Sequence, residues 1–212
     1  MGRQPAARHR PVRRALTPLG APSNERNGSM TKKKVLIISS SLRPNSNSHA
    51  LCEEVAKGVE AAGGEAQLVR LLGKKINFCT GCYACRPSHR CVQQDDANAI
   101  CRAICEADAV VFGTPVYYFT ICAQLKAVLD RSVQFWPEPK GKPYYVVATM
   151  AENASFAHVL SAIQGYMDCF DGARIAGSVL ATEVYEPGAV KSTKFMQEAF
   201  ALGKAIMQEV SK

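Results

Sequence analysis

Five short apolar runs recur along the chain, separated by polar turns and by stretches with a helical pattern. The first run follows three lysines and has the continuous apolar character of a strand that is buried on both faces. The other four runs are of similar length, and the third is expected to end at the turn sequence Gly113-Thr114-Pro115. Together they predict strands over residues 35–39, 66–71, 109–112, 144–148 and 175–181.

Helical patterns fill the intervals that follow these strands. The clearest face is in the third helix, where Leu125, Val128 and Leu129 recur at helical spacing. Asp95 and Asp96 precede the second helix, and we expect them to form an acidic first turn that interacts with the helix dipole. The last helix is predicted to close the chain over residues 194–210.

Five strands that alternate with five helices predict an α/β fold with one doubly wound parallel sheet and helices on both faces. The connections between parallel strands should be right-handed. Sheets of this kind bind ligands outside the carboxyl ends of their strands, where the strand order reverses. The loops after the first and third strands are therefore the candidate ligand loops.

The composition is that of a globular protein with room for one domain. The chain has 212 residues, of which 47% are hydrophobic and 21% are charged. The net charge of +8 is concentrated near the start, because residues 1–30 contain six arginines and one acid. The remaining 20 basic and 17 acidic residues leave residues 31–212 at only +3, so we expect no nucleic-acid partner. No apolar run approaches the ~18 residues of a membrane span, so no membrane partner is expected.

Residues 1–30 form a tail that is rich in Arg and Pro and has no hydrophobic periodicity, so we predict that it is disordered. It lacks the apolar segment of a secretory signal. Its composition suits an organellar transit peptide or an upstream extension before a start at Met30. We favour the extension, which predicts a cytoplasmic protein with one domain over residues 31–212.

A polar loop, SSSLRPNSNS, joins the first strand to the first helix. Its hydroxyl and amide groups, the free N–H groups of the helix start and the Arg43 cation together suit a phosphate monoester. The alternative is a simple capping loop, because Ser and Asn are common at helix starts. The position after the first strand of a doubly wound sheet favours the phosphate.

The loop after the third strand, GTPVYYFT, contains three consecutive aromatic residues, Tyr117, Tyr118 and Phe119. Three neighbouring side chains cannot all point into the core, so at least one should line a cleft or an interface. Aromatic faces form a suitable apolar wall for a flat ring.

Four of the nine cysteines lie in the segment CTGCYACRPSHRC, at Cys79, Cys82, Cys85 and Cys91. Their short spacing allows four thiolates to converge on one metal centre, and bacterial ferredoxins use similar spacing for three ligands. Zinc, a redox dithiol and reduced thiols without a metal are the alternatives. The other five cysteines are predicted to be small buried side chains: Cys52, Cys101, Cys105, Cys122 and Cys169.

Three motifs together resemble the NAD(P)H-dependent FMN reductases of the flavodoxin-like superfamily, and most of all its multimeric flavodoxin and iron-sulfur flavoprotein branch. The motifs are SSSLRPNSNS, C-x2-C-x2-C-x5-C-x3-DD and GTPVYYFTICAQLKAVLDR. The resemblance covers about residues 34–210 and implies a five-stranded sheet in the order 2-1-3-4-5. The chain departs from the pattern at Ser40 and Leu42, where relatives often have Gly and Pro.

The resemblance implies FMN as the cofactor and NAD(P)H as the co-substrate. The FMN phosphate would be held by Ser41, Arg43, Asn45, Asn47 and Ser48. The isoalloxazine ring would lie against Thr114, Pro115, Val116, Tyr117, Tyr118 and Phe119. In the iron-sulfur branch a [4Fe-4S] cluster would be bound by Cys79, Cys82, Cys85 and Cys91. No side chain receives a catalytic role, because the flavin carries the chemistry.

The expected function is that of an oxidoreductase that takes hydride from NAD(P)H. The electrons would pass to a quinone, a nitro or azo compound, a flavin or an iron-sulfur relay. One alternative is an electron carrier without a small-molecule substrate, and another is a metal- or redox-sensing module built on the cysteine loop. The resemblance also implies a homodimer or homotetramer.

Overall fold

The computed structural model describes residues 32–139 and 141–212. The strands are β1 (Lys34–Ser39), β2 (Glu65–Arg70), β3 (Ala109–Tyr117), β4 (Thr120–Ile121), β5 (Pro143–Thr149) and β6 (Arg174–Ala181). The helices are α1 (Asn47–Ala61), α2 (Ala97–Glu106), α3 (Ala123–Arg131), α4 (Ala157–Met167) and α5 (Phe195–Val210). Short 3-10 helices span Ser132–Phe135 and Ala189–Ser192.

The predicted tail, residues 1–30, lies outside the described residues, and so does Lys140. Within the described ranges, none of the helices combines the length and the apolar character that a membrane crossing requires.

The main sheet has the strand order β2-β1-β3-β5-β6, and every pair in it is parallel. This arrangement confirms the predicted order 2-1-3-4-5, because β5 and β6 are the fourth and fifth strands of that prediction. β1 lies between β2 and β3, with Leu36 opposite Gln67 on one side and Val110 on the other. The strand order therefore reverses at β1.

The core has two layers, one on each face of the sheet. Alternate strand residues such as Leu36 and Val110 pack with α2, α3 and α4. Their neighbours, such as Val35 and Val111, pack with α1 and α5. Because both faces are covered, the central strands contain continuous apolar runs rather than alternating ones.

The third strand is longer than predicted. The segment Gly113-Thr114-Pro115 was expected to end it, yet β3 continues to Tyr117. Parallel pairing with β5 extends to Pro115, and the strand then folds back as an antiparallel hairpin in which Tyr117 pairs with Thr120. Long-range pairing therefore outweighs the local turn signal, and α3 begins at Ala123, after the hairpin.

The contact between α1 and α5 depends on two glycines. A Cβ atom on Gly203 would collide with the carbonyl oxygen of Val55, and one on Gly58 would collide with that of Phe200. Both obstacles are backbone atoms, so a side chain would force the helices apart.

We therefore expect the substitution Gly203→Ala to lower the free energy of unfolding by about 1–3 kcal/mol, as overpacking does elsewhere. Urea denaturation measures this change. The control is Gly165→Ala in α4, where a Cβ atom meets nothing within 4 Å. It should stabilise the protein by about 0.4–1 kcal/mol. Equal stability of the two variants would contradict the packing described.

Candidate functional site

The carboxyl edge of the parallel sheet carries the loops that follow β1, β2, β3, β5 and β6. The loop after β1 and the hairpin after β3 lie next to each other, because these two strands are paired. The strand order reverses at β1, and doubly wound sheets usually bind their ligand at such a point.

Ser40 fastens the loop after β1 to the neighbouring strand. Its backbone N–H and its hydroxyl both donate to the carbonyl oxygen of Gly113, at 2.9 and 2.7 Å. The Ser40 Oγ also lies 3.1 Å from the Cys122 Sγ. The side chain is fully buried against the sheet. The serine that replaces the usual glycine therefore leaves the outer side of the loop clear.

The start of α1 presents several unused backbone donors. Ser46 is the N-cap, and its hydroxyl accepts the N–H of His49 at 3.2 Å. Further N–H groups of the loop and first turn have no acceptor within the part of the chain that the structure describes: Leu42, Asn45, Ser46, Asn47 and Ser48. Clustered N–H groups at a helix start favour an anion.

The side chains predicted to hold a phosphate differ in their placement. Ser41 and Ser48 are buried, and the Ser41 Oγ accepts the N–H of Arg43 at 3.3 Å. Arg43 and Asn45 are exposed. These four residues lie in the loop after β1 or in the first turn of α1, so the structure keeps them close together.

Asn47 is the exception, because both hydrogens of its side-chain amide are already used. They bind the carbonyl oxygens of Val184 and Glu186, each at 2.9 Å, and the Asn47 Oδ1 accepts the N–H of Val190. Asn47 therefore ties the loop after β6 to the start of α1. Tyr185, which lies between Val184 and Glu186 in the sequence, has an exposed side chain. Sequence reasoning missed this aromatic residue, since no local pattern encodes a contact across 137 positions.

The hairpin after β3 presents its aromatic residues outward. Tyr118 is 99% exposed, and Tyr117 and Phe119 are about half exposed. Tyr118 and Phe119 have φ values of 48° and 62°, which side chains of this size rarely adopt. Thr114 supports the hairpin, because its Oγ1 accepts the N–H of Cys122 at 3.1 Å. Pro115 and Val116 are half-buried between these groups.

The cysteine loop is held at its neck by a buried ion pair. Arg131 donates to both carboxylate oxygens of Asp95, at 2.7 and 3.0 Å, and to the carbonyl oxygen of Asn77 at 3.0 Å. The Arg131 side chain is 1% exposed. As expected for an acid before a helix, Asp95 also accepts the N–H of Ala97, the first residue of α2, at 3.1 Å. What the sequence did not predict is the additional pair with Arg131 on α3.

The pKa of Asp95 reflects this environment. Burial favours the neutral carboxyl, but hydrogen bonds from Arg131 and from the N–H of Asn77 outweigh it. The pKa therefore lies below its usual value.

The four clustered cysteines line one cavity of about 980 Å³ against the C-terminal half of α3 and against α4. Cys79 and Cys82 are exposed, and Cys85 and Cys91 are half-buried. Among residues 32–139 and 141–212, however, no three metal-ligating side chains lie close enough together to hold a metal ion. The structure thus brings the thiols to one cavity without assembling them.

A smaller cavity of about 470 Å³ lies beside the aromatic hairpin. It is lined by Tyr118, Phe119 and α4, and it shares Ala162 with the cysteine cavity. The cysteine loop and the carboxyl edge are therefore neighbours across the exposed face of α4.

The remaining cysteines match the prediction in part. Cys52, Cys101 and Cys122 are buried, as expected. Cys105 is half-buried and Cys169 is exposed, so the prediction of burial is wrong for both. Cys169 follows the end of α4 at Met167, where it lines the cysteine cavity rather than the core.

The architecture is that of a flavodoxin-like protein. A flavodoxin from the domain Archaea superposes with a TM-score of 0.55 at 17% identity, covering 84% of this chain and 99% of the other. The model of the NADPH-dependent FMN reductase family matches residues 33–185, and the chain belongs to this family.

Two relatives with different names are each similar to part of the chain. An "Iron-sulfur flavoprotein" of Archaeoglobus fulgidus is 38% identical over 111 residues, covering 51% of this chain and 50% of the relative. An "NAD(P)H dehydrogenase (quinone)" of Trichlorobacter lovleyi is 30% identical over 92 residues, covering 42% of this chain and 43% of the relative. The chain thus spans about half the length of these relatives, or somewhat less.

We expect the substitution Asp95→Ala to lower the free energy of unfolding by about 3–5 kcal/mol at pH 7, because it leaves Arg131 buried and unpaired. Hydrogen exchange should rise in the cysteine loop, residues 78–93. Because the folded pKa of Asp95 is depressed, its stabilisation is complete above about pH 4, the ordinary pKa of aspartate. It is lost as the pH falls through the lower folded value.

The control for this prediction is Asp130→Ala, which breaks the exposed pair with Lys126 on α3. Exposed pairs contribute about 0–1 kcal/mol, so this variant should stay near wild-type stability. If Asp95→Ala and Asp130→Ala lowered the free energy of unfolding by the same small amount, Asp95 would not hold the neck of the cysteine loop.

Proposed function

We propose that this chain binds FMN at the carboxyl edge of its sheet and uses it to transfer electrons from NAD(P)H to an acceptor. The observation that carries the proposal is the pairing of two complementary surfaces on adjacent strands. The loop after β1 surrounds a helix start rich in free donors, and the hairpin after β3 presents exposed aromatic side chains. Membership of the FMN reductase family supports the same cofactor.

The loop after β1 fits the phosphate of FMN. The free N–H groups at the start of α1 would donate to its oxygens, and the exposed Arg43 would add a positive charge. Ser41, Asn45 and Ser48 would supply further donors. Asn47 would act through the backbone, since its side chain is used to hold the loop after β6.

The hairpin fits a flat ring. When bound, FMN supplies a ring that accepts a hydride and releases electrons to an acceptor. The segment from Thr114 to Phe119 would hold one side of that ring and keep water from it. Tyr185, tethered through Asn47, lies at the same edge of the sheet and would limit access to the site.

The electron acceptor we propose first is a quinone. The support is a relative whose name is "NAD(P)H dehydrogenase (quinone)". A nitro or azo compound, a free flavin and an iron-sulfur relay are the other acceptors to be compared.

The proposal is tested by reconstituting the apoprotein with FMN and measuring anaerobic NADPH and NADH oxidation with a quinone. We expect turnover that requires both FMN and the acceptor. The substitution Ser41→Ala should weaken FMN binding about tenfold through the loss of a bond to a charged group, while riboflavin binding stays unchanged. The control is Ser211→Ala, just after α5. An FMN-loaded protein that oxidises neither nucleotide would refute the enzyme function.

A second candidate is an iron-sulfur flavoprotein that carries electrons without a small-molecule substrate. Several relatives have the name iron-sulfur flavoprotein, and the four thiols share one cavity. Four cysteine thiolates are the ligands that typically bind an iron-sulfur cluster. The described arrangement does not bring three donors together, so we assign no electron-transfer step to it.

Iron and sulfide analysis of anaerobically purified protein decides between the two candidates. A carrier would contain about four irons per chain, lose them in Cys82→Ser, and show no quinone turnover. The matched control is Cys169→Ser, which removes another exposed thiol of the same cavity. For the flavin enzyme we expect Cys82→Ser to keep full FMN turnover.

We also propose a homo-oligomer, since Tyr118 and Phe119 would gain a partner surface if a second copy covered the hairpin. The dimer or tetramer and the cytoplasmic location stay predictions.

A further inference from the structure

Arg70 makes an unusual contact with the candidate phosphate loop. It is the last residue of β2 and pairs in register with Ser39, the last residue of β1. Its Nη2 donates to the carbonyl oxygens of Arg43 and Pro44, at 2.7 and 2.6 Å. A side chain from the adjacent strand thus holds the middle of the loop, whose two ends are fixed by Ser40 and Ser46.

This contact decides which backbone groups the loop presents. In a trans peptide the C=O and N–H bonds point in opposite directions. Because the Pro44 carbonyl faces Arg70, the N–H of Asn45 faces away from it. The two held carbonyls are acceptors and would repel a phosphate. Arg70 therefore removes two acceptors from the surroundings of the helix start and leaves the donors there.

The charge of Arg70 is uncompensated within the described parts of the chain. No carboxylate forms an ion pair with it there. Its Nε is buried and has no hydrogen-bond partner. Arg131, in contrast, is paired with Asp95. An unpaired, half-buried cation is costly unless a negative group lies nearby.

The field of Arg70 also reaches the first turn of α1. The pKa of His49 is lowered, first by burial and then by the positive charge of Arg70. His49 is anchored at this place, with its Nδ1 3.0 Å from the Ser39 Oγ. The positive charge of the Arg70 guanidinium therefore acts on the first turn of α1, where the free N–H groups lie.

We infer that Arg70 is a positioning residue of the phosphate site: it orients the loop after β1 toward an anion, and its charge favours that anion. The inference rests on the proposed function, because it takes the phosphate of FMN to be that anion. It adds a residue from β2 to a site that sequence motifs assign to the loops after β1 and β3.

The test compares FMN with riboflavin, which has the same ring and no phosphate. Dissociation constants of both are measured for the apoprotein by flavin fluorescence quenching. We expect Arg70→Met to weaken FMN binding by about 10- to 100-fold, the range for hydrogen bonds that involve charged groups. Riboflavin binding should stay within about twofold. The variant should also show a weaker dependence of FMN affinity on salt, because ions partly screen the attraction between a half-buried charge and an anion.

Two further variants separate the effect of the Arg70 charge from the effect of its hydrogen bonds. Arg70→Lys keeps the charge and a donor and should restore most of the FMN preference. Arg70→Gln keeps a donor without the charge and should restore less. The matched control is Arg174→Met, which removes an arginine from the first residue of the other edge strand. It should leave both constants unchanged.

The outcomes distinguish the inference from the proposed function. If wild-type protein binds FMN and riboflavin equally well and Ser41→Ala changes neither, the phosphate site itself is wrong. If wild type prefers FMN and Arg70→Met retains that preference, the inference about Arg70 is wrong. If Arg70→Met weakens the binding of FMN and of riboflavin equally, the inference about Arg70 is also wrong, because a positioning role predicts a selective loss of FMN affinity. This holds whether or not the circular dichroism spectrum changes.

Discussion

The parallel pairing of β1 with β2 on one side and with β3 on the other is the constraint on which the rest of the site depends. It brings three carboxyl ends to one edge, at the point where the strand order reverses. The loop before α1, the guanidinium of Arg70 on β2 and the aromatic hairpin after β3 meet there. They are far apart in sequence, and only the register of the sheet makes them neighbours.

The rigidity of this edge comes from the layers beneath it. The two apolar faces of the sheet are covered separately, by α1 and α5 on one side and by α2, α3 and α4 on the other. Gly58 and Gly203 allow α1 and α5 to approach closely, which fixes the helix whose start carries the free donors. The cysteine loop has its own anchor in Asp95 and Arg131. This ion pair holds the loop to α3.

Local patterns predicted the strands and helices because each depends on neighbours a few positions away. The same patterns failed where a distant partner overrides the local preference. Gly113, Thr114 and Pro115 form a typical turn sequence, yet β5 continues to pair beside them. Asp95 accepts an N–H at the start of α2 as expected, but no local pattern shows that it also pairs with an arginine 36 residues away.

The sequence alone determined the α/β class, the order of the elements and the residue types offered after the first and third strands. These follow from periodicity and turn chemistry within short windows. The tertiary structure decided which polar groups remain available for a ligand. The side chain of Asn47 is not free to bind a ligand, because its amide binds the carbonyl oxygens of Val184 and Glu186. Arg70 contacts the candidate phosphate loop because β2 lies beside β1. Hydrogen bonds are short and directional, so a side chain's role depends on which distant group the fold brings within about 3 Å.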